Sequence, residues 1–574
     1  MTSISKLYRL KRQIIFPAPG ASESVAPVPP SLVHSDKLLV EGQGTYIFSY
    51  RAQGSDAPMA SVSVRTTGNR EVFQVEISPQ GTRLLVNDQP VASSLRGLEA
   101  YAYAYYWVSI DAPNGLISVG IGEARLETRV LAYQLPAGGP AAGASPPLLK
   151  EATQVHSGNG VVRMRLLRDP IVAKVPLAVR GAAHLTMNDV GQNLRLPAAA
   201  LPAAGRQLYD TIAGEAFELN TDDFPAFARA IQLSIETPGC WCYQKLQEKQ
   251  AEFGDPQEVY LRITLGQNGG ESPGIPYVME IWPPQCYSPV HQHAGANAII
   301  RVLHGSIQVT LFPYLRPKVL GVAGAVPDAA FAFAQQLFEQ GDITWISPVL
   351  NQVHQLHNPE PAGGQPCVTI QCYQYDADDH GHYAFFDYDD EHGHLEQFRP
   401  NSDADFVVFK EQMRFEWEHR RLLTSRGYRS VKDQPFGQRL AMGQFFYDPT
   451  SNRLLLFQRD RNLVLYDLTD PAALTVVWTA NTNAKSKWDE KSQDLCYLEI
   501  TREAFRIHDG RAGEMAAPLA YTVQASADDL RFDVDLTGSI FRLTSTQKTF
   551  LESPASQAKH GSPDLDGLIA TNGL

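Results

Sequence analysis

The sequence predicts a mainly β protein of several domains, and three observations support this prediction. The chain has 574 residues, which at roughly 100–200 residues per domain corresponds to three or four domains. Gly 43 and Pro 39 together give 82 residues, about one in seven, a share typical of a turn-rich protein. Several segments, such as residues 71–78 and 161–167, alternate apolar and polar side chains with the period of two expected of strands.

Composition and charge exclude several functional classes. Hydrophobic residues make up 44% and charged residues 19%, so the chain can form apolar cores and is not globally disordered. The net charge of -13 argues against nucleic acid as a partner, because phosphate binding needs clustered Lys and Arg. No run approaches eighteen apolar residues, so we expect no membrane span. The six cysteines lack zinc-ribbon spacing and no Asn-x-Ser/Thr sequon occurs, which favours a reducing, cytoplasmic compartment.

Changes in composition divide the chain into six segments. Two Pro/Ala/Gly-rich stretches, 136–147 and 196–205, suggest linkers, and residues 404–426 have the period and charge of a helix. The predicted segments are a β-sandwich module at 38–135, a linker with an unassigned β segment at 136–200, a β-barrel domain with N-terminal helices at 201–398, a connecting helix at 404–426, a third β-rich domain at 437–553 and a disordered tail at 554–574.

Three histidines in the second β-rich domain have the spacing of metal ligands. His291 and His293 lie on a predicted strand, where a period of two places both imidazoles on one face. His354 follows about sixty residues later, after a Gly-Asp turn and another strand. Three neutral imidazoles inside a β-barrel can bind a divalent iron and leave positions open for substrate and dioxygen. The alternative is three histidines that lie near each other by chance.

The region from about 201 to 388 resembles the cysteine dioxygenase type of thiol dioxygenase, a cupin family. Besides the histidines, the resemblance rests on Tyr260-Leu261-Arg262 before the first metal strand and on the stretch PCVTIQCYQYD. It implies an Fe(II) cofactor, an arginine that binds the substrate carboxylate and a tyrosine that supports dioxygen chemistry. The implied site residues are the metal ligands His291, His293 and His354, the substrate-binding residues Tyr260 and Arg262, and the catalytic residues Gln371 and Tyr373.

Three positions depart from the pattern of this family. Ala298 stands where the family has a cysteine that is cross-linked to the tyrosine, so that thioether cannot form. Gln371 replaces the histidine that hydrogen-bonds the tyrosine, and Gln292 replaces an acidic residue between the two metal histidines. Changes around metal ligands alter metal affinity and chemistry. The resemblance therefore implies the metal more firmly than the substrate.

The third β-rich domain contains a row of polar residues in the segment QRDRNLVLY. Five residues fall two apart, so a strand would present all of them on one face. They are Gln458, Asp460, Asn462, Val464 and Tyr466. The row resembles the mannose-binding motif of the monocot bulb-type lectins, which implies a β-prism and mannose-containing glycans as partners. Two further repeats expected near 497–508 and 532–543 lack these residue types, and the same row can be a purely structural repeat.

The first β-rich module resembles the β-sandwich called the farnesoic acid O-methyltransferase domain. An aromatic strand, a Pro-Asn-Gly turn and a Val-Gly-x-Gly strand within residues 105–133 carry this resemblance. The module has no glycine loop between a strand and a helix that could bind a cofactor, so methyl transfer is not implied. We expect a binding or oligomerising role.

Taken together, these features predict an iron(II)-dependent thiol dioxygenase with accessory β domains. Its substrates would be dioxygen and a small carboxylated thiol of the cysteine or 3-mercaptopropionate type, which it would oxidise to a sulfinate. Two alternatives stay open at this point. One is a mannose-type carbohydrate-binding protein with a degenerate cupin, and the other is a cupin dioxygenase that acts on a non-thiol small molecule.

Overall fold

The computed structural model describes much of the chain between residues 34 and 568. The described ranges are 34–50, 59–98, 104–135, 149–158, 160–214, 217–250, 252–253, 255–266, 277–293, 295–315, 332–375, 386–389, 395–425, 428–430, 439–448, 452–470, 472–479, 496–500, 505–509, 531–533, 542–544, 549–552 and 567–568. The predicted mainly β, multidomain architecture is confirmed. The chain forms two compact units, 1–219 with 248–406, and 220–247 with 407–574.

The first unit begins with a β-sandwich of eleven described strands. One sheet has the order β1-β10-β3-β4-β5-β6 and the other β11-β2-β7-β8-β9, and apolar side chains of both sheets form one core. The strands are β1 His34–Lys37, β2 Gln43–Tyr50, β3 Ala60–Arg65, β4 Glu71–Ser78, β5 Gly81–Val86, β6 Gln89–Ser94, β7 Tyr105–Asp111, β8 Leu116–Ile121, β9 Arg129–Gln134, β10 Gln154–Ser157 and β11 Val161–Leu167.

The sandwich extends beyond the predicted boundary at residue 135. β10 lies between β1 and β3, and β11 pairs with β2. Each of these two strands therefore completes a sheet whose first strand lies more than a hundred residues earlier in the chain. Alternation predicts that a segment is a strand but does not reveal its partner. Of the two predicted linkers, 136–147 lies outside the described residues. The other, 196–205, is not a linker throughout, because a helix begins at Ala203. Alanine has the highest helix propensity, so an alanine-rich segment can start a helix.

A barrel of two mostly antiparallel sheets follows in the same unit. The orders are β13-β12-β20-β17-β22-β15-β14-β25 and β19-β18-β21-β16-β23-β24, and both sheets contribute to one apolar core, which is the cupin arrangement. The strands are β12 Ala178–Arg180, β13 Arg195–Pro197, β14 Leu261–Thr264, β15 Tyr277–Trp282, β16 His291–Gln292, β17 Asn297–His304, β18 Ser306–Leu311, β19 Ala334–Glu339, β20 Ile343–Ile346, β21 His354–His357, β22 Cys367–Gln374, β23 Phe386–Asp389, β24 Leu395–Phe398 and β25 Ala404–Asp405, and the helices are α1 Met187–Gly191 and α2 Ala203–Ile212.

Two local features hold the barrel strands in place. All eight residues of β22 are buried, and β22 lies between β17 and β15. Gly305 turns the chain from β17 into β18, which belongs to the other sheet, with a φ of 70° that favours glycine. A Cβ atom at this position would lie 2.7 Å from the carbonyl oxygen of Pro366, so the turn also needs the missing side chain.

The second unit combines helices with short strands. Glu416 is buried and accepts a hydrogen bond from the backbone N–H of Trp241 at 2.8 Å, which joins two of the helices. The helices are α3 Phe227–Glu236, α4 Trp241–Lys249, α5 Phe406–Glu418 and α6 Arg420–Leu423. The segment 220–247 was expected with the barrel, and it belongs instead to the unit that contains α5 and α6. Amphipathic period predicts that a helix is buried, but not which domain buries it.

The strands of the second unit form three sheets within the described residues. Their orders are β26-β28-β29-β30-β31, β27-β32-β33 and β34-β35-β36. The strands are β26 Tyr428–Ser430, β27 Arg439–Ala441, β28 Phe445–Asp448, β29 Arg453–Phe457, β30 Leu463–Asp467, β31 Thr475–Thr479, β32 Cys496–Ile500, β33 Phe505–Asp509, β34 Arg531–Asp533, β35 Arg542–Thr544 and β36 Thr549–Glu552. The predicted tail lies outside the described residues apart from 567–568. No helix in the described ranges has the length and apolar character needed to cross a bilayer.

Candidate metal centre

The barrel brings the three predicted histidines together. His291 on β16 pairs directly with His354 on β21, and His293 follows one residue after β16. One nitrogen from each ring lies within 4.8 Å of the others, and Nε2 of His291 is 3.2 Å from Nε2 of His293. His291 and His354 are buried, whereas His293 is partly accessible. The three imidazoles therefore face one point inside the barrel.

Backbone carbonyls fix the orientation of two of these rings. Nδ1 of His291 lies 2.9 Å from the carbonyl oxygen of Pro289, and Nδ1 of His354 lies 3.2 Å from that of Gln352. Because a carbonyl oxygen only accepts hydrogen bonds, Nδ1 must carry the proton in both rings. A neutral imidazole with its proton on Nδ1 presents the Nε2 lone pair, as a metal ligand requires.

The histidine site has the properties of a metal-binding site. Burial lowers the pKa of His354 to about 4, and burial together with the nearby His354 lowers that of His291 well below its usual value. Both rings are therefore neutral at physiological pH, as ligation needs. Nε2 of His354 is buried and has no hydrogen-bond partner, an arrangement that a bound cation would resolve. Three imidazoles suit iron, zinc, copper or nickel.

Arg262 lies inside the barrel and is already paired. It is buried on β14, and its Nη1 donates to Oε1 of Glu280 at 3.0 Å, while its backbone N–H donates to Asp403 at 2.7 Å. Glu280 also accepts a hydrogen bond from Nε2 of Gln371. Burial raises the pKa of Glu280, and the charge of Arg262 opposes this shift. The predicted carboxylate-binding residue is thus half of a buried ion pair.

Tyr373 connects this ion pair to the histidines. Its ring centroid lies 5.0 Å from that of His293, and its hydroxyl donates to Oε1 of Gln371. Burial, reinforced by the charge of Glu280, raises the pKa of Tyr373 well above its usual value. Ala298 stands directly opposite Tyr373 across β17 and β22. Ala298, which has no thiol that could form a cross-link, therefore lies beside Tyr373.

Two further residues of this region, the predicted Tyr260 and the departure Gln292, make contacts within the barrel. Tyr260 stacks on Trp282 with ring centroids 4.5 Å apart and belongs to the barrel core. Gln292 points away from the histidines, and its amide donates to Asp387 of β23 at 3.1 Å. In this chain the residue between the first two histidines therefore links neighbouring strands.

Sequence reasoning missed Glu280, although one signal was present. It is the only charged residue in the strand YVMEIW, where its neighbours are apolar and buried. A lone acid in a buried strand needs a partner, because an unpaired buried charge is costly. That partner is Arg262, and the two strands that carry them pair directly.

The five lectin-like residues do not share one strand face, so this prediction is wrong in its geometry. Residues 458–461 form a turn with Arg461 in the left-handed region at a φ of 68°, and only Val464 and Tyr466 lie on β30. These two side chains belong to the apolar core of the second unit. The remaining polar groups bond internally: Gln458 donates to the hydroxyl of Tyr466, Asp460 accepts from the backbone N–H of Asn462, and Asn462 donates to Thr479.

No family model matches the sequence. Solved structures that the chain is similar to include an oxalate oxidase in complex with the substrate analogue glycolate, at 14% identity over 23% of this chain and 56% of that one, with a TM-score of 0.16. A cupin superfamily protein from Desulfitobacterium hafniense matches at 10% identity over 20% of this chain and 75% of that one, with a TM-score of 0.14. A cupin domain of a transcriptional regulator from Enterobacter cloacae matches at 12% identity over 20% and 96%, also at 0.14. These matches are confined to about a fifth of the chain, and the barrel topology itself carries the fold assignment.

Proposed function

We propose that the barrel is an iron(II)-dependent thiol dioxygenase that oxidises a small carboxylated thiol, of the cysteine or 3-mercaptopropionate type, to a sulfinate. The observation that carries the proposal is the convergence of His291, His293 and His354 inside the barrel, with the unpartnered Nε2 of His354, beside Tyr373 and near enough to Arg262 for its charge to act on His291. Iron(II) bound there would supply the redox centre at which thiolate and dioxygen react.

The proposed reaction balances without an external reductant. A thiolate and one molecule of dioxygen give a sulfinate, so both oxygen atoms end on sulfur. Sulfur loses four electrons and dioxygen gains four. The protein must therefore hold the thiol and exclude competing reactions, and it needs no binding site for an electron donor.

Arg262 is the residue that would hold the substrate carboxylate. A guanidinium has five N–H donors in a planar fork, and the contact with Glu280 engages one of its nitrogens, Nη1. Glu280 can thus orient the fork while other N–H groups bind a carboxylate bidentately. Because Glu280 offsets the charge of Arg262, selectivity for a carboxylate would come mainly from the geometry of the free N–H donors.

Tyr373 would place a protonated hydroxyl near the reacting groups, and its one proton, which it donates to Gln371, would turn away from Gln371 to reach a substrate oxygen. Its raised pKa keeps the proton on the hydroxyl at neutral pH, so the side chain is not a base. Gln371 holds this hydroxyl, and the amide of Gln371 is held in turn by Glu280. The chain of contacts therefore positions the phenol and the guanidinium together.

Oxygen consumption by the iron-loaded protein tests the proposal. Cysteine and 3-mercaptopropionate carry the carboxylate that Arg262 would bind, and cysteamine lacks it. We expect oxygen uptake and sulfinate formation with at least one carboxylated thiol and much slower uptake with cysteamine. Uptake with none of the three would contradict the proposal, and a preference for cysteamine would contradict the role of Arg262.

A further inference from the structure

A buried polar contact joins the β-sandwich to the loop that leads into the metal-binding strand β21. Just after β8, the carboxylate of Glu123 accepts the backbone N–H of Asn351 at 2.9 Å and that of Gln352 at 2.8 Å. Arg125 donates from Nη1 to Oδ1 of Asn351 at 2.7 Å. Gln352 is two residues before His354. The sandwich therefore holds the backbone beside a proposed ligand.

This contact is built into the interior of the first unit. Glu123 is 7% exposed, Arg125 0%, Asn351 2% and Gln352 6%. Burying a carboxylate is costly unless hydrogen bonds and an opposite charge compensate it, and here two backbone N–H groups and Arg125 do so. Asn351 also has a φ of 62°, in the left-handed region that asparagine tolerates better than most residues. The loop conformation depends on these partners.

Gln352 transmits the contact to both segments that carry the histidines. Its side-chain oxygen accepts the backbone N–H of Gly295 at 3.0 Å, and its side-chain nitrogen donates to the carbonyl of Ala296 at 3.0 Å. These two residues lie just after His293. Its own backbone carbonyl is the acceptor for Nδ1 of His354. Gln352, which Glu123 holds, thus bonds to the residues that follow His293 and to the ring of His354.

A second close contact lies beside the first. Gly122 has a φ of 98°, and a Cβ atom there would lie 2.6 Å from Cβ of Pro313 in the barrel. The residue before that proline, Phe312, donates its backbone N–H to the carbonyl of Val353 at 3.0 Å, next to His354. Only glycine allows the sandwich to approach this closely.

We propose that Glu123 is a positioning residue of the metal site. By fixing the backbone of Gln352, it sets the distance between the loop after His293 and the ring of His354. The β-sandwich would then be a structural part of the metal centre, beyond the binding or oligomerising role expected from its sequence. This inference rests on the proposed metal site.

The test compares two isosteric variants of the full chain by cobalt(II) titration against a competing chelator. Glu123→Gln keeps the side-chain shape but turns one acceptor into an NH₂ group that faces a backbone N–H. We expect metal binding about tenfold weaker and a changed visible absorption of the bound cobalt. Glu127→Gln is the matched control, because Glu127 pairs with the same Arg125 at 2.9 Å but accepts the backbone N–H of Val175, which lies far in sequence from residues 351–352. Its affinity should stay within about twofold of the wild type.

Each outcome decides the proposal. A folded Glu123→Gln protein with wild-type affinity and an unchanged cobalt spectrum would overturn it, as would an equal loss in Glu127→Gln. If Glu123→Gln does not fold, Glu123→Asp decides: it keeps the charge, but its shorter side chain cannot reach the backbone N–H groups of both Asn351 and Gln352, so unchanged affinity and an unchanged cobalt spectrum would overturn the proposal. Wild-type protein that binds no cobalt would instead defeat the proposed metal site.

Discussion

The convergence of three imidazole nitrogens, one of which has no hydrogen-bond partner, distinguishes the histidine group from a structural cluster. An unpartnered buried polar atom costs about 1–3 kcal/mol, so proteins seldom leave one. Nε2 of His354 is in that position, whereas its Nδ1 is bonded to the backbone. His357, on the same strand, is partly accessible and stands outside the group of three. The two histidines therefore form a natural pair for comparison.

We predict that His354→Ala removes stoichiometric metal binding and that His357→Ala does not. The first change deletes one of three ligands, while the second alters the same strand without touching the site. Metal content after purification and equilibrium dialysis against iron(II) or cobalt(II) measures the difference. Equal retention of metal by both variants would contradict the assignment of His354 as a ligand.

The ion pair between Arg262 and Glu280 calls for a paired substitution. Removing one member of a buried pair costs about 3–5 kcal/mol, because the other charge is left without a partner. Arg262→Ala alone would therefore confuse a folding defect with a binding defect. The double variant Arg262→Gln with Glu280→Gln removes both charges and leaves groups that can still form hydrogen bonds.

We predict that this double variant raises KM for 3-mercaptopropionate about ten- to a hundredfold. The loss corresponds to about 1.5–3 kcal/mol of hydrogen bonding to a charged group. KM for cysteamine, which has no carboxylate, should change less than about threefold on the same reasoning. Steady-state oxygen uptake measures both values. A parallel rise for the two thiols would show that the pair only supports the barrel.

At the scale of elements, local patterns were predictable and long-range pairings were not. The spacing of His291 and His293 is a local signal, and the distant His354 is a candidate because it follows a Gly-Asp turn and another predicted strand. Glu280 lies 18 residues from Arg262, and Glu123 lies 228 residues from Asn351. Alternation fixes which face a side chain takes, but only the sheet order determines what it meets.

The turn before β30 shows the same limit in the second unit. A period of two predicted one strand through residues 458–466, but Arg461 takes a left-handed conformation and ends the alternation. Because the repeats expected near 497–508 and 532–543 lack these polar residue types, we predict that titration with a methyl mannoside detects at most one site and that Asp460→Ala abolishes any such binding. Asp470→Ala is the matched control, since Asp470 is exposed and accepts a turn N–H in the same way. Two or more equivalent sites, or binding that survives Asp460→Ala, would contradict this prediction.

At the scale of the whole molecule, stability rests on apolar cores and not on covalent cross-links. All six cysteines are free thiols, and five of them are buried. We predict that the melting temperature is the same with and without a reductant, because no disulfide constrains the unfolded chain. Differential scanning calorimetry measures it. A lower melting temperature in reductant would reveal a disulfide and argue against the expected reducing compartment.

The fate of dioxygen tests the central claim most directly. Iron-loaded protein is supplied with ¹⁸O₂ and 3-mercaptopropionate or cysteine, and the ¹⁸O content of the product is measured by mass spectrometry. The account predicts a sulfinate in which both oxygen atoms carry the label, formed in proportion to the oxygen consumed and absent with His354→Ala. A disulfide product, a sulfinate with unlabelled oxygen, or product formation that is unaffected by His354→Ala would contradict it.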